Sequence, residues 1–97
     1  MTMTTTVNGD AYSVAINGRL DTVTAPNFEA FMQENVANMR TLELDCAGLE
    51  YVSSAGLRVL LAAQKRLKGG MTLKNVCELV MEVFEMTGFV DVLSIES

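Results

Sequence analysis

Residues 41–75 read TLELDCAGLEYVSSAGLRVLLAAQKRLKGGMTLKN, and the changes of period along this stretch decide the fold. Leu42, Leu44 and Cys46 alternate with Thr41, Glu43 and Asp45. That is the period of a strand with one buried face. Ala47-Gly48 ends the alternation, and Leu49 to Val52 is expected to form a buried loop. From residue 53 to 68 the period is helical. Leu57, Leu60, Leu61 and Leu67 make one stripe, which Val59, Ala62 and Ala63 widen. Lys65, Arg66 and Lys68 suit the negative end of the helix dipole, and Gly69-Gly70 stops the helix. Met71 to Asn75 is again extended. Strand, helix and strand in this order imply parallel pairing through a right-handed crossover.

The same unit recurs on either side. Downstream, Val76, Leu79, Val80, Val83 and Phe84 form another helical stripe. Gly88 is placed as its C′ glycine, with Phe89 folding back, and Val90 to Ile95 is expected to be the last strand. Upstream, Thr24 is placed as an N-cap and Pro26 in a first helical turn. Phe28, Phe31, Met32, Val36 and Met39 share one face of that helix, which fades near Asn38. Residues 2–17 read as a hairpin, with Tyr12, Val14 and Ile16 alternating against Ser13, Ala15 and Asn17 after an Asn8-Gly9-Asp10 turn. The order is β-β-α-β-α-β-α-β. It implies an α/β fold: a mixed sheet of about five strands, antiparallel in the N-terminal hairpin and parallel elsewhere, with three main helices. No repeat or linker divides residues 1–97, which read as a single domain.

Composition excludes several functions. Acidic residues outnumber basic ones 12 to 7, for a net charge of -5. The one basic cluster is Lys65, Arg66 and Lys68, which argues against nucleic acid as a partner. Histidine is absent, so Ser-His-Asp and Cys-His arrangements cannot form. No phosphate-binding loop or dinucleotide fingerprint occurs. Asp10, Asp21 and Asp45 are scattered over turns and strand ends, and their spacing proposes no acid–base pair. The chain therefore reads as a binding protein and not an enzyme. Cys46 and Cys77 lie in apolar runs and are expected to be reduced core thiols, with no metal or cofactor. There is no signal-peptide pattern and no run near the roughly 20 apolar residues that span a bilayer, so a cytoplasmic location without membrane contact is expected.

Two polar places interrupt the apolar patterning: Asp21-Thr22, between a strand and a helix, and Ser53-Ser54, at the start of the most apolar helix. In an open α/β sheet both fall on the edge where ligands gather. A helix needs one N-cap hydroxyl, and here there are two in a row. The second lies in the first turn, where the dipole favours an added anion by about 0.3–1 kcal/mol. A phosphoserine there would add about -1.5 to -2 charge without breaking the helix.

The run Leu49-Glu50-Tyr51-Val52-Ser53-Ser54-Ala55-Gly56-Leu57 resembles the signature of STAS domains of the anti-sigma factor antagonist type: an apolar–aromatic loop, D-S-[ST]-G-L, then an apolar helix. Gly18-Arg19-Leu20-Asp21 followed by Thr24-Ala25 is similar to that family's G-x-L-D turn into its first helix. Val83-Phe84-Glu85-Met86-Thr87-Gly88-Phe89 is similar to the end of its third helix. The three stretches span roughly residues 3–95 in the family's order. Two positions depart from the pattern: Ser53 stands in place of the aspartate, and Ala55 in place of the following serine or threonine.

The resemblance implies partner switching. An unphosphorylated antagonist binds an anti-sigma factor that is itself a serine kinase with an ATP site, and so frees the sigma factor. Phosphorylation of the antagonist releases it, and a metal-dependent serine phosphatase resets it. Matching the motif places the phosphoserine at Ser54, with Ser53 as a second acceptor. The partner surface becomes the edge carrying Asp21, Thr22, Ser53, Ser54, Ala55, Gly56 and Arg58. Asp21 is expected to lie within hydrogen-bonding reach of Ser54, and Gly56 to admit either a partner's backbone or tight helix–sheet packing. The alternative is a constitutive STAS scaffold or subunit of a transport or signalling complex that is not phosphorylated.

Overall fold

Alternation of Leu42, Leu44 and Cys46 with polar residues permits only one buried sheet face, and the topology supplies the cover for it. The structure, a computed structural model, describes residues 1–96. Its strands are β1 (Thr2–Asn8), β2 (Ala11–Leu20), β3 (Thr41–Val52), β4 (Met71–Lys74) and β5 (Ser94–Glu96). They pair in the order β1-β2-β3-β4-β5, the first pair antiparallel and the rest parallel. The helices are α1 (Ala25–Asn35), α2 (Ser54–Arg66) and α3 (Glu78–Thr87). Because β2 to β5 advance across the sheet in one direction, three successive right-handed crossovers put every helix on the same face.

The two faces differ accordingly. Val14, Ile16, Leu42, Leu44, Met71 and Leu73 point under the helices and are buried, as are Phe28 of α1, Leu60 of α2 and Phe84 of α3. The other face is polar. Across it Thr4, Ala15, Asp45, Lys74 and Glu96 stand in register. Lys74 Nζ pairs with Glu43 at 2.6 Å and with Glu96 at 3.7 Å, and these two carboxylates hold its ammonium above the usual lysine range. The Asn75 amide and the Ala47 N–H hold the Asp45 carboxyl below its usual range.

Several elements differ from the expected ones. The residues expected to form a loop at Leu49–Val52 continue β3, and β2 runs on through Gly18-Arg19-Leu20. Register shifts between β2 and β3 fall at Ala15/Asn17 and Gly18/Arg19. They reset the alternation, so the buried positions of β3 pass from Leu42, Leu44 and Cys46 to Leu49 and Val52. A spacing of three in place of two conceals a strand from a period-two reading. At the hairpin the central pair is Gly9-Asp10, with positive φ at Gly9 alone, the pattern of a type II′ turn.

The last strand is shorter than expected. Gly88 closes α3 in the left-handed conformation, and residues 89–91 form a 3-10 turn. The Leu93 N–H donates to the Phe89 carbonyl at 2.8 Å, which leaves Val90 and Val92 exposed and only Ser94–Glu96 extended. Along the expected α3 stripe, Val80 and Phe84 are buried, Val83 is half-buried and Leu79 is exposed. In α2, Leu61 is half-buried beside the buried Leu57 and Leu60.

Both cysteines are free thiols. Cys46 is buried and Cys77 half-buried, with its Sγ 3.5 Å from the Leu49 carbonyl. Burial pushes the Cys46 thiol up to about 12, with a further push from the Asp45 carboxylate. Since the thiolate is the reactive form, a maleimide at pH 8 is expected to label Cys77 first and Cys46 only after denaturation. Equal native rates, followed by peptide mapping, would place Cys46 outside the core.

Candidate functional site

β2 and β3 end side by side, with Leu20 opposite Val52 in register. The Ser53 N–H donates to the Leu20 carbonyl at 3.0 Å and ties the two exits together. One exit leads through residues 21–24 into α1 and the other through Ser53 directly into α2. Asp21-Thr22 and Ser53-Ser54 therefore share one edge, as the sequence implies.

The two serines have different duties. Ser53 is the N-cap, with extended backbone, and its Oγ accepts the Gly56 N–H at 3.3 Å. Ser54 is the first residue of α2 and is exposed, and its hydroxyl makes no hydrogen bond among the described residues. Ala55 is half-buried, and Arg58, one turn further on, is exposed.

Gly56 is committed to the fold. It is buried, and a Cβ there would sit 2.5 Å from the Leu20 carbonyl oxygen and 3.0 Å from side-chain carbons of Leu20 and Val52. The close approach that this glycine permits is made by the chain's own β2, so it offers no surface to a partner. Backbone cannot yield as a side-chain tip does. Gly56→Ala is expected to cost about 1–3 kcal/mol in urea unfolding, the usual range for overpacking. A loss below about 0.3 kcal/mol would mean that α2 moves off the sheet freely, against the close packing of protein interiors.

The Asp21 loop is locked by its own bonds. Asp21 Oδ1 accepts the N–H groups of Val23 and Thr24, at 3.0 and 3.1 Å. These bonds, the Thr24 one foremost, hold the Asp21 carboxyl below its ordinary value. The Thr24 hydroxyl donates to the Arg19 carbonyl at 2.7 Å and accepts the Asp21 N–H at 2.9 Å. Thr24 thus occupies the N-cap position of α1 but spends its side chain on the loop. Asp21 makes no hydrogen bond to Ser54, contrary to the expectation; Arg19 takes its other oxygen at 3.5 Å. The Arg19 guanidinium also lies 4.2 Å over the Tyr51 ring, a contact that the sequence does not announce.

Between α1 and α2 lies a groove of about 370 Å³. Thr22, Ala55 and Arg58 line it together with Ala25, Glu29 and Ala62, so three of the expected surface residues converge there. The alanines are the signal that marks it in sequence: small residues on both facing helices leave a trough. Among the described residues no group of three Cys, Asp or Glu side chains could hold a metal ion, and no helix is long and apolar enough to cross a membrane.

Comparison with known proteins agrees with this architecture. A family model described as "Mlab, STAS domain" matches residues 3–94. A relative from Bordetella bronchiseptica, named "Putative anti-sigma factor antagonist BtrV", is 36% identical over 84 residues, which is 82% of this chain and 72% of the relative. The crystal structure of an anti-sigma factor antagonist from Mycobacterium paratuberculosis superposes with a TM-score of 0.85 at 24% identity, over 97% of this chain and 83% of the other. The Bacillus cell fate determinant SpoIIAA in its phosphorylated form gives 0.74 at 17% identity, over 99% of this chain and 92% of the other. At these identities the two structures show a shared fold.

Proposed function

The chain belongs to the STAS domain family, and on that premise we propose that it is an anti-sigma factor antagonist that switches partners by phosphorylation of Ser54. Unphosphorylated, it binds an anti-sigma factor that is a serine kinase with an ATP site. In the kinase reaction the Ser54 Oγ bonds to the γ-phosphorus of ATP and loses its proton to the kinase. The bond to the bridging oxygen breaks, and ADP leaves. A serine phosphatase reverses the modification by hydrolysis. The chain itself supplies a surface and an acceptor, with no catalysis of its own.

One observation carries the choice of acceptor: of the two adjacent hydroxyls, Ser53 is bonded into the cap and Ser54 is exposed and unbonded among the described residues. The dipole of a 13-residue helix tolerates an anion in its first turn. Asp21, Thr22, Ala55 and Arg58 would frame the partner contact around it. Phosphorylation of Ser53 would instead cost the cap, worth about 1 kcal/mol.

The test is incubation with the cognate anti-sigma kinase and ATP, followed by intact-mass and peptide mapping. One phosphoryl group at Ser54 and loss of kinase binding on modification are expected. A chain that binds the kinase yet is never labelled is a constitutive scaffold, the outcome that overturns the switch.

A further inference from the structure

Ser54 and Arg58 stand four residues apart at the start of α2, and both are exposed. That spacing puts their Cβ atoms roughly 5–6 Å apart on one helix face, with the acidic position N-terminal to the basic one, the favourable order. The other cations are engaged or remote. Arg19 is held by Asp21 and stacked on Tyr51. Lys74 is paired on the opposite face of the sheet. Lys65 and Arg66 lie in the last turn of α2, Arg66 about 12 Å beyond Arg58 along the axis at 1.5 Å per residue, and Arg40 and Lys68 line a second hollow beside Arg66. Arg58 forms no ion pair among the described residues.

We propose that Arg58 captures the Ser54 phosphate within the same helix turn. This rests on phosphorylation at Ser54 and deepens it. The guanidinium fork matches phosphate oxygens in pairs, which a lysine ammonium does not. Two carboxylates share the neighbourhood. Asp21 is held by Arg19 and by loop N–H groups, and Glu29 faces Arg58 across the groove. Modification therefore changes the surface twice. It adds an anion, and it occupies Arg58, one of the two arginines, with Arg66, that line the groove and that an unmodified chain offers to a partner's carboxylate.

The experiment places phosphoserine at position 54 during translation, so no kinase is needed. Phosphorus NMR then follows the second ionisation of the phosphate, ordinarily near pH 6. At low salt its midpoint is expected to lie about 0.3 lower in the wild type than in Arg58→Gln, the scale of an exposed i,i+4 ion pair. Arg58→Lys should restore part of the difference, and about 1 M salt should shrink it, because exposed pairs are screened. Arg66→Gln should leave the midpoint where it is. Equal midpoints in wild type and Arg58→Gln overturn the proposal, as does an Arg66→Gln effect of the same size, which would reveal only a general field. Neither result touches Ser54 as the acceptor, and a kinase that fails to label Ser54 leaves the ionisation result standing.

Discussion

Leu60→Ala is expected to lower the unfolding free energy by about 2–5 kcal/mol, a large part of the roughly 5–15 kcal/mol available to a domain of this size. Leu60 is 1% exposed in the middle of α2. Its side chain faces a sheet whose other side is polar and open to solvent, so the layer beneath the helices is the chain's main apolar core. Removing three carbons there forfeits transfer energy and leaves a void that the sheet, fixed by its ladder, cannot fill. Leu79→Ala is the control. At 57% exposed it should cost no more than about 0.5 kcal/mol, the ordinary range for a surface change. Urea melts of both variants decide the matter. A Leu60 loss below about 1 kcal/mol, or equal losses at the two sites, would undo the placement of α2 and α3 on the sheet, given the usual cost of a core truncation.

The contrast between those leucines also shows what the sequence could reveal. Leu57, Leu60, Val80 and Phe84 recur at helical spacing and are buried, so element type and order were legible from periodicity. Leu79 fits the same stripe but lies beyond its edge, because α3 shows the sheet a narrower face than apolar content suggests. Bulges hid the second half of β3, since they add residues without changing direction. Val90 and Val92 alternate as a strand would, yet the left-handed Gly88 turns the chain into a 3-10 segment first.

At the candidate site, sequence placed Asp21 and Ser54 on one edge, because strand ends and helix starts gather there in any such sheet. It could not show that Asp21 is spent on its own loop, since one carboxylate has many local N–H partners within reach. Gly56 was open to two readings for a related reason. Whether its missing side chain makes room for a partner or for β2 depends on a distance to Leu20 that no spacing encodes.

Ser54→Asp is expected to weaken kinase binding at least tenfold while melting close to the wild type. The exposed first-turn position accounts for the unchanged stability. No hydrogen bond of the described residues involves the Ser54 hydroxyl, and the helix dipole favours a negative charge there by about 0.3–1 kcal/mol. The loss falls on the interface. A charge desolvated against a partner without a matching cation costs several kcal/mol, and about 1.4 kcal/mol is already tenfold in affinity. Ser54→Ala should keep binding and stability and refuse the phosphoryl group. Ser53→Ala should do the reverse, losing about 1 kcal/mol with its cap and remaining a substrate. Calorimetry, kinase labelling and thermal melts on the three variants separate capping from signalling. Labelling that survives Ser54→Ala and disappears in Ser53→Ala would move the acceptor one residue back, into the cap. Wild-type affinity in Ser54→Asp would mean that charge at this edge does not govern release.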